Sequence, residues 1–317
     1  MKSALLPFDG ETFTSWIYRL SVYNKLPRLS VDTVKDLFLD ALSKGSFDPD
    51  FDSSCQFSIT CRDICTLPRH LYEGFYLHTS QWIFPRYYRR SYCYRCFCEQ
   101  IPIVGHPAVL KEWAIVYCTI CSKHEVLLQD GAYGACKFLA VGSELFSFHN
   151  DVLHGRNLGR LSPEQYRVTS AVQLMISSSE LHAAESNEPL MDSFFSFVKL
   201  FIEIMLYPDF GPCSQLFARN KSLPSDVVVW KKLLLGPFLA STPQRNAAIL
   251  LLGWAIGVDG SNCEILNSDY IHTLFQLGRV SNVIGSTELE RILRLLSADL
   301  QYAGIHEFVE GYCSKSN

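Results

Sequence analysis

Cys93-Tyr94-Arg95-Cys96 and, further along, Cys121-Ser122-Lys123-His124 are the two stretches that decide how this chain is read. Each offers two metal-ligating side chains with two residues between them. A turn of that length aims both donor atoms at one point, and two such turns complete a tetrahedron. Three thiolates and a neutral imidazole make a site for Zn²⁺ with no open position, and a closed site is structural, not catalytic. The binding free energy of such an ion is folding free energy, on the order of 10 kcal/mol in small zinc modules. It can hold together a segment that has few apolar residues of its own. The ligand set is not unique from spacing alone. Cys98 and Cys118 flank the pattern, and Cys118-Thr119-Ile120-Cys121 is itself a CxxC, so Cys93, Cys96, Cys118 and Cys121 satisfy the same rule.

The chain has 12 cysteines in 317 residues. Nine lie in residues 1–160, and six of those crowd between Cys93 and Cys136. The opening Met1–Asp9 has too short an apolar run for an export signal, and the longest apolar stretch, Ala247–Val258, falls short of the roughly 18–20 residues a spanning helix needs. A cytoplasmic protein without a membrane span is therefore expected. In a reducing compartment clustered cysteines read as metal ligands before disulfides. Cys55, Cys61 and Cys65 lack ligand spacing and read as small buried apolar side chains.

Charge divides the chain. The formal net charge is −4, made of +1 in residues 1–160 and −5 in residues 161–317. Neither half has the basic balance that grips nucleic acid by bulk electrostatics. One segment stands apart: from Gly74 to Cys98 there are four arginines and no Asp or Glu. Arg86, Arg89, Arg90 and Arg95, interleaved with tyrosines in Phe84-Pro85-Arg86-Tyr87-Tyr88-Arg89-Arg90-Ser91-Tyr92, suit phosphate contact with base or ribose stacking. They equally suit ion pairs with the acidic C-terminal half, with the tyrosines covering the metal module.

Three regions follow from patterning. Residues 1–80 open with two amphipathic helices: Phe13, Trp16, Ile17 and Leu20 on one face of the first, Val34, Leu37, Phe38, Ala41 and Leu42 on the second. Thr12 or Asp9 is placed to cap the first, Asn24 and Pro27 to end it, and Gly45 to end the second. Two short helices and a tight linker are helix-turn-helix-like. Residues 46–80 are hard to read beyond a loop at 47–52. Residues 81–160 hold the small zinc-ribbon-like module, with β-like runs at Ala114–Tyr117 and Val126–Leu128, and a connector over 141–160. Residues 161–317 read as all helical. Ser162-Pro163-Glu164-Gln165 and Ser241-Thr242-Pro243-Gln244 are helix starts, with Ser as cap and Pro in the first turn. Further helices are expected over Met191–Leu206, Asp226–Leu235, Asp269–Leu277, Thr287–Leu296 and Ala303–Tyr312. The fold class is thus mainly α.

No enzyme signature accompanies this. GxxxxGK[ST], HExxH, GxSxG and GxGxxG are all missing, and no HxE precedes the CxxC as the nucleobase deaminases need.

Two anchors resemble the TniQ family. One is Leu6-Pro7-Phe8-Asp9-Gly10-Glu11-Thr12-Phe13-Thr14-Ser15-Trp16-Ile17-Tyr18-Arg19-Leu20, similar to the family's opening of Pro, a Gly-Glu-Ser/Thr start and a Ser-Trp pair leading to Arg-Leu/Ile. The other is Cys93/Cys96, then Trp113 in a short β-like stretch, then Cys121/His124 followed by Val126-Leu127-Leu128. The resemblance covers about residues 4–130 and implies Cys93, Cys96, Cys121 and His124 as ligands, over the Cys118 alternative. Many members carry a second CxxC knuckle; the corresponding stretch here, Gln129–Cys136, holds only Cys136, so one zinc is expected and not two. What the resemblance implies is non-enzymatic: a target selector in DNA transposition. Such proteins link a target-recognition element to an AAA+ ATPase regulator that recruits the transposase. Some recognise an attachment-site DNA themselves. Others dock, often as a homodimer, on an RNA-guided Cascade complex, where base pairing reads the sequence. The acidic balance favours the docking adaptor, with local contact to target DNA or guide RNA through the four arginines; an autonomous sequence-specific DNA-binding protein is the alternative.

Overall fold

The computed structural model describes residues 6–23, 29–43, 48–77, 80, 82–153, 161–185, 189–208, 211, 213–214 and 229–255. The chain divides into two compact units, the first formed by 1–162 with 241–243 and the second by the remainder. Among the described residues both are mainly helical. No described helix is long and apolar enough to cross a membrane.

The first unit begins with α1 (Phe13–Val22) and α2 (Val31–Ser43), followed by α3 (Gln56–Cys65) and α4 (Arg69–Gly74). Phe13, Trp16, Ile17 and Leu20 meet Val34, Phe38 and Ala41 in one apolar cluster, as their 3/4 spacing dictates. Phe57, Cys61, Tyr72 and Phe75 from α3 and α4 close it, with Phe13 edge-on to Phe57, Tyr72 and Phe75. Cys55 and Cys61 are buried there and Cys65 packs against it half-buried.

Thr12 occupies the cap position of α1, yet its side chain makes no cap bond. The first-turn amide of Thr14 instead donates to Asp50 Oδ1 at 2.8 Å, and the Thr14 hydroxyl donates to Asp50 Oδ2 at 3.1 Å. A carboxylate thirty-six residues away therefore caps this helix, a favourable place for negative charge. Ser30 caps α2 locally, its Oγ accepting from the Thr33 amide at 3.2 Å. Asn24, Pro27 and Gly45 lie outside the described residues.

The opening motif is buried chemistry. Glu11 and Arg19, both about fully buried, pair at 2.6 Å. The guanidinium also donates to the Leu6 carbonyl, and Ser15 Oγ and the Phe8 amide donate to the Glu11 carboxylate. Burial pushes the Glu11 carboxyl above its usual range, against the pull of Arg19. Gly10 has φ +68°, a conformation that suits glycine, and its carbonyl accepts from the Lys111 amide.

The second half of this unit carries β1 (Ser91–Tyr92), α5 (Tyr94–Val104), β2 (Ile120–Cys121), β3 (Val126–Leu127), β4 (Gln129–Asp130) and α6 (Val141–Phe148). Two antiparallel two-stranded ribbons form, β1 with β4 and β2 with β3. Their strands are too short to bury a face of their own. Tyr92, Phe97, Trp113, Leu128 and Leu145 fill a second cluster around the cysteines. Residues 111–114 are a 3₁₀ turn, and Ile115 makes an isolated bridge to Ile83, where a longer β-like run is expected from sequence. The connector expected over 141–160 begins with helix α6, because Val141 and Leu145 are core residues of this cluster and Phe146 packs against it.

The second unit holds α7 (Pro163–Glu185), α8 (Pro189–Met205), α9 (Val229–Leu239) and, from Gln244 on, α10 (Thr242–Ala255). Pro163 starts α7 where the Ser-Pro device places it. Within this unit Val168, Val172, Ile176, Val198, Ile202, Ile249 and Leu252 are buried. The helices expected at 269–277, 287–296 and 303–312 lie outside the described residues.

Candidate metal centre

Cys93 is the cap residue of α5 and Cys96 its third residue. A CxxC at a helix start places two thiols beside unpaired amides and the positive end of the helix dipole, which favours thiolate. Cys121 ends β2 in register with Val126 of β3. The turn between them carries His124 back over the helix start. Glu125 has φ +54°, left-handed for a side chain with a Cβ, and its amide donates to the Cys121 carbonyl at 2.9 Å. That tight turn puts His124 on the same side as Cys121.

The four donor atoms all lie within 4.8 Å of one another, and the three cysteines are buried. Nδ1 of His124 is 3.5 Å from Cys93 Sγ, 3.3 Å from Cys96 Sγ and 3.6 Å from Cys121 Sγ; Cys96 and Cys121 sulfurs are 3.7 Å apart. A tetrahedral ion with metal–sulfur bonds of about 2.3 Å and metal–nitrogen bonds of about 2.05 Å has edges of about 3.8 Å (S–S) and 3.6 Å (S–N). These four separations fall within a few tenths of an ångström of those edges. These residues can hold a metal ion, and the donor set is that of a closed site. Hydrogen bonds from Cys93 and Cys96 lower the Cys121 thiol, while the hydrogen bond to Cys121 pushes Cys93 up to about 12 and Cys96 up as well.

The cysteines left over go elsewhere. Cys98 is exposed and Cys118 half-buried, and neither joins the cluster. Cys136 is buried, and its thiol donates to the Arg89 carbonyl at 2.8 Å. Two acidic residues border the site that ligand spacing does not announce. Glu99 Oε1 lies 2.8 Å from His124 Nε2, and Glu112 accepts from the Ser122 hydroxyl at 3.1 Å. The hydrogen bond with His124, and that with Lys123, hold the Glu99 carboxyl below its usual range. Their positions on α5 and on the 3₁₀ turn become meaningful only once the ribbon is folded over the helix.

The four arginines separate. Arg86 Nη1 pairs with Asp50 at 2.7 Å and its Nε donates to the Cys136 carbonyl; its guanidinium lies over Phe38. Arg89 makes a two-pronged pair with Asp48, donates from Nε to the Phe84 carbonyl at 2.8 Å, and lies 4.4 Å from the Phe51 ring centre. Arg90 stacks 3.7 Å over Tyr133, with Asp130 at 3.9 Å. Arg95 is exposed on α5. The spacing that suggested a phosphate-contacting row thus serves two ion pairs to the loop preceding α3, while Tyr87 and Tyr133 are about half exposed.

Comparison with protein-family models, with curated proteins and with solved structures returns no match to this chain.

Proposed function

We propose that the chain is a TniQ-like, non-enzymatic transposition adaptor whose Cys93, Cys96, Cys121 and His124 hold one structural Zn²⁺. In this reading the helices of residues 1–80 are helix-turn-helix-like and residues 81–160 a zinc-ribbon-like module. The C-terminal helical region binds partners, and the chain links a target-recognition element, such as a guide-RNA-bearing Cascade complex, to an AAA+ ATPase regulator and the transposase. The observation that carries the reading is the physical union of its two sequence anchors. Glu11 bridges Leu110, the Thr12 amide donates to the Val109 carbonyl at 2.8 Å, and the Val109 amide donates to Ser15 Oγ at 3.1 Å. Trp113, three residues on, lies edge-on to Phe97 of the metal cluster. The Gly-Glu-Thr…Ser-Trp…Arg opening and the Cys-x-x-Cys/Trp/Cys-x-x-His pattern are thus two sides of one packed joint, which gives a physical reason for them to occur together in a chain of this kind.

Zinc is favoured for the ion because three thiolates and one imidazole in tetrahedral array match its preference. A full set of protein donors favours a structural task over hydrolysis. The internal pairing of Arg86 and Arg89 favours docking over autonomous DNA reading, since guanidiniums already held by Asp50 and Asp48 add little to phosphate binding. The test is affinity capture of the tagged chain from its native host, with and without nuclease. Co-purification of an AAA+ ATPase is the expected result. Tight site-specific DNA binding by the isolated protein, falling about 10³-fold or more between 50 and 200 mM salt, would replace the adaptor by the DNA-reading alternative.

A further inference from the structure

We propose that Glu99 is a positioning residue of the metal centre: it holds the His124 ring so that Nδ1, and not Nε2, faces the three sulfurs. The inference rests on the reading of the four side chains as metal ligands. A neutral imidazole has one N–H and one lone pair, and a ligating nitrogen must offer the lone pair. His124 Nδ1 sits 3.3–3.6 Å from the three sulfurs, and its Nε2 points away from them to Glu99 Oε1 at 2.8 Å. The proton is therefore on Nε2 and is donated to a carboxylate. A flipped ring would turn Nδ1 outward and lose that bond.

The carboxylate is itself held. Glu99 stands one helical turn after Cys96 on α5, so a single rigid helix carries two sulfur ligands and the ring's acceptor. Its other oxygen pairs with Lys123, the residue immediately before His124. One carboxylate thus clasps two successive residues of the Cys-x-x-His turn and pins the turn to the helix. Lys123 also offsets the charge that Glu99 adds beside three thiolates. Metal-bound histidines commonly donate their second nitrogen in this way, and loss of the acceptor typically weakens metal binding by about 10- to 100-fold.

The experiment measures zinc affinity by chelator competition on the full chain, and His124 nitrogen ligation by long-range ¹H–¹⁵N and ¹¹³Cd spectra of the Cd²⁺-loaded protein. Glu99→Ala should weaken zinc by about 10-fold or more. Its His124 signals should show loss of the single Nε2–H, Nδ1-bound form. Glu99→Gln keeps an oxygen that can accept from Nε2–H, so it should retain Nδ1 ligation and lose less affinity. Lys123→Ala leaves the acceptor in place and should keep Nδ1 ligation too. Glu99→Ala binding zinc within about 2-fold of wild type, or Nε2 ligation in the wild type, overturns the proposal. Wild-type protein that takes up no metal overturns the ligand reading beneath it, a distinct result.

Discussion

Arg89→Ala distinguishes a structural arginine from a nucleic-acid contact, and the structure sets the size of the effect. The Arg89 side chain is 9 % exposed and that of Asp48 28 %. Removing the guanidinium breaks a two-pronged ion pair, removes a hydrogen bond to the Phe84 carbonyl, and empties the space over Phe51. Breaking a fully buried pair costs about 3–5 kcal/mol. The partial exposure of Asp48 lets water re-solvate the stranded carboxylate, so about 2–4 kcal/mol is expected. For a unit of this size about 3 kcal/mol corresponds to a drop in Tm of roughly 6–12 °C. The assay is urea and thermal denaturation with zinc held saturating, for Arg89→Ala, Asp48→Ala and the double variant. The single variants should each lose stability, and the double variant should lose less than their sum, because the second deletion removes an already unpaired charge. If Arg89→Ala melts within about 0.5 kcal/mol of wild type while nucleic-acid binding weakens, the argument fails and Arg89 is a surface contact.

Other perturbations read other parts of the account. Asp50 accepts from the Thr14 amide, the Thr14 hydroxyl and Arg86. Asp50→Ala should therefore cost about 3–5 kcal/mol in urea unfolding, more than Asp48→Ala; an equal or smaller cost would deny it the capping role. Burial pushes the Cys136 thiol up to about 11 from an ordinary value of 9.0. Between those values the unfolded chain releases this proton and the folded one keeps it, so stability falls as pH rises. Cys136→Ala should flatten that decline by about 2 kcal/mol between pH 9 and 11 in pH-dependent urea melts; an unchanged slope would refute the assignment. A Cβ on Gly142 would collide with the Pro107 carbonyl. Gly142→Ala should destabilise by about 2 kcal/mol or more despite its better helix propensity, which calorimetry checks.

What could be read from the sequence is local. The apolar faces of α1 and α2 follow from 3/4 spacing, and the α7 start from Ser162-Pro163, because helix periodicity and first-turn amides act within a few residues. The metal cluster was legible for the same reason: each half is a short turn, and only their meeting needed the fold. What was not legible depends on distant partners. Nothing near Asp50 marks it as the cap of α1, and nothing near Arg86 or Arg89 marks Asp50 and Asp48 as their anions. A row of arginines and tyrosines has one composition whether it faces phosphate or pairs inward. Spacing alone leaves His124 and Cys118 equivalent, and it is the folded chain that brings His124 into the cluster and leaves Cys118 out of it. Helix α6 stands where the sequence reads as a connector; its Val141 and Leu145 join Tyr92 and Trp113 in one buried cluster, contacts that depend on distant residues.

The measurement that bears most directly on the account is zinc-edge X-ray absorption on the purified protein, with metal content determined on the same sample. One zinc per chain is expected, with three sulfurs at about 2.3 Å and one nitrogen at about 2.0 Å. A shell of four sulfurs would put Cys118 in place of His124. An oxygen ligand would open the site to catalysis, and a chain without bound metal would remove the centre on which the proposed adaptor is built.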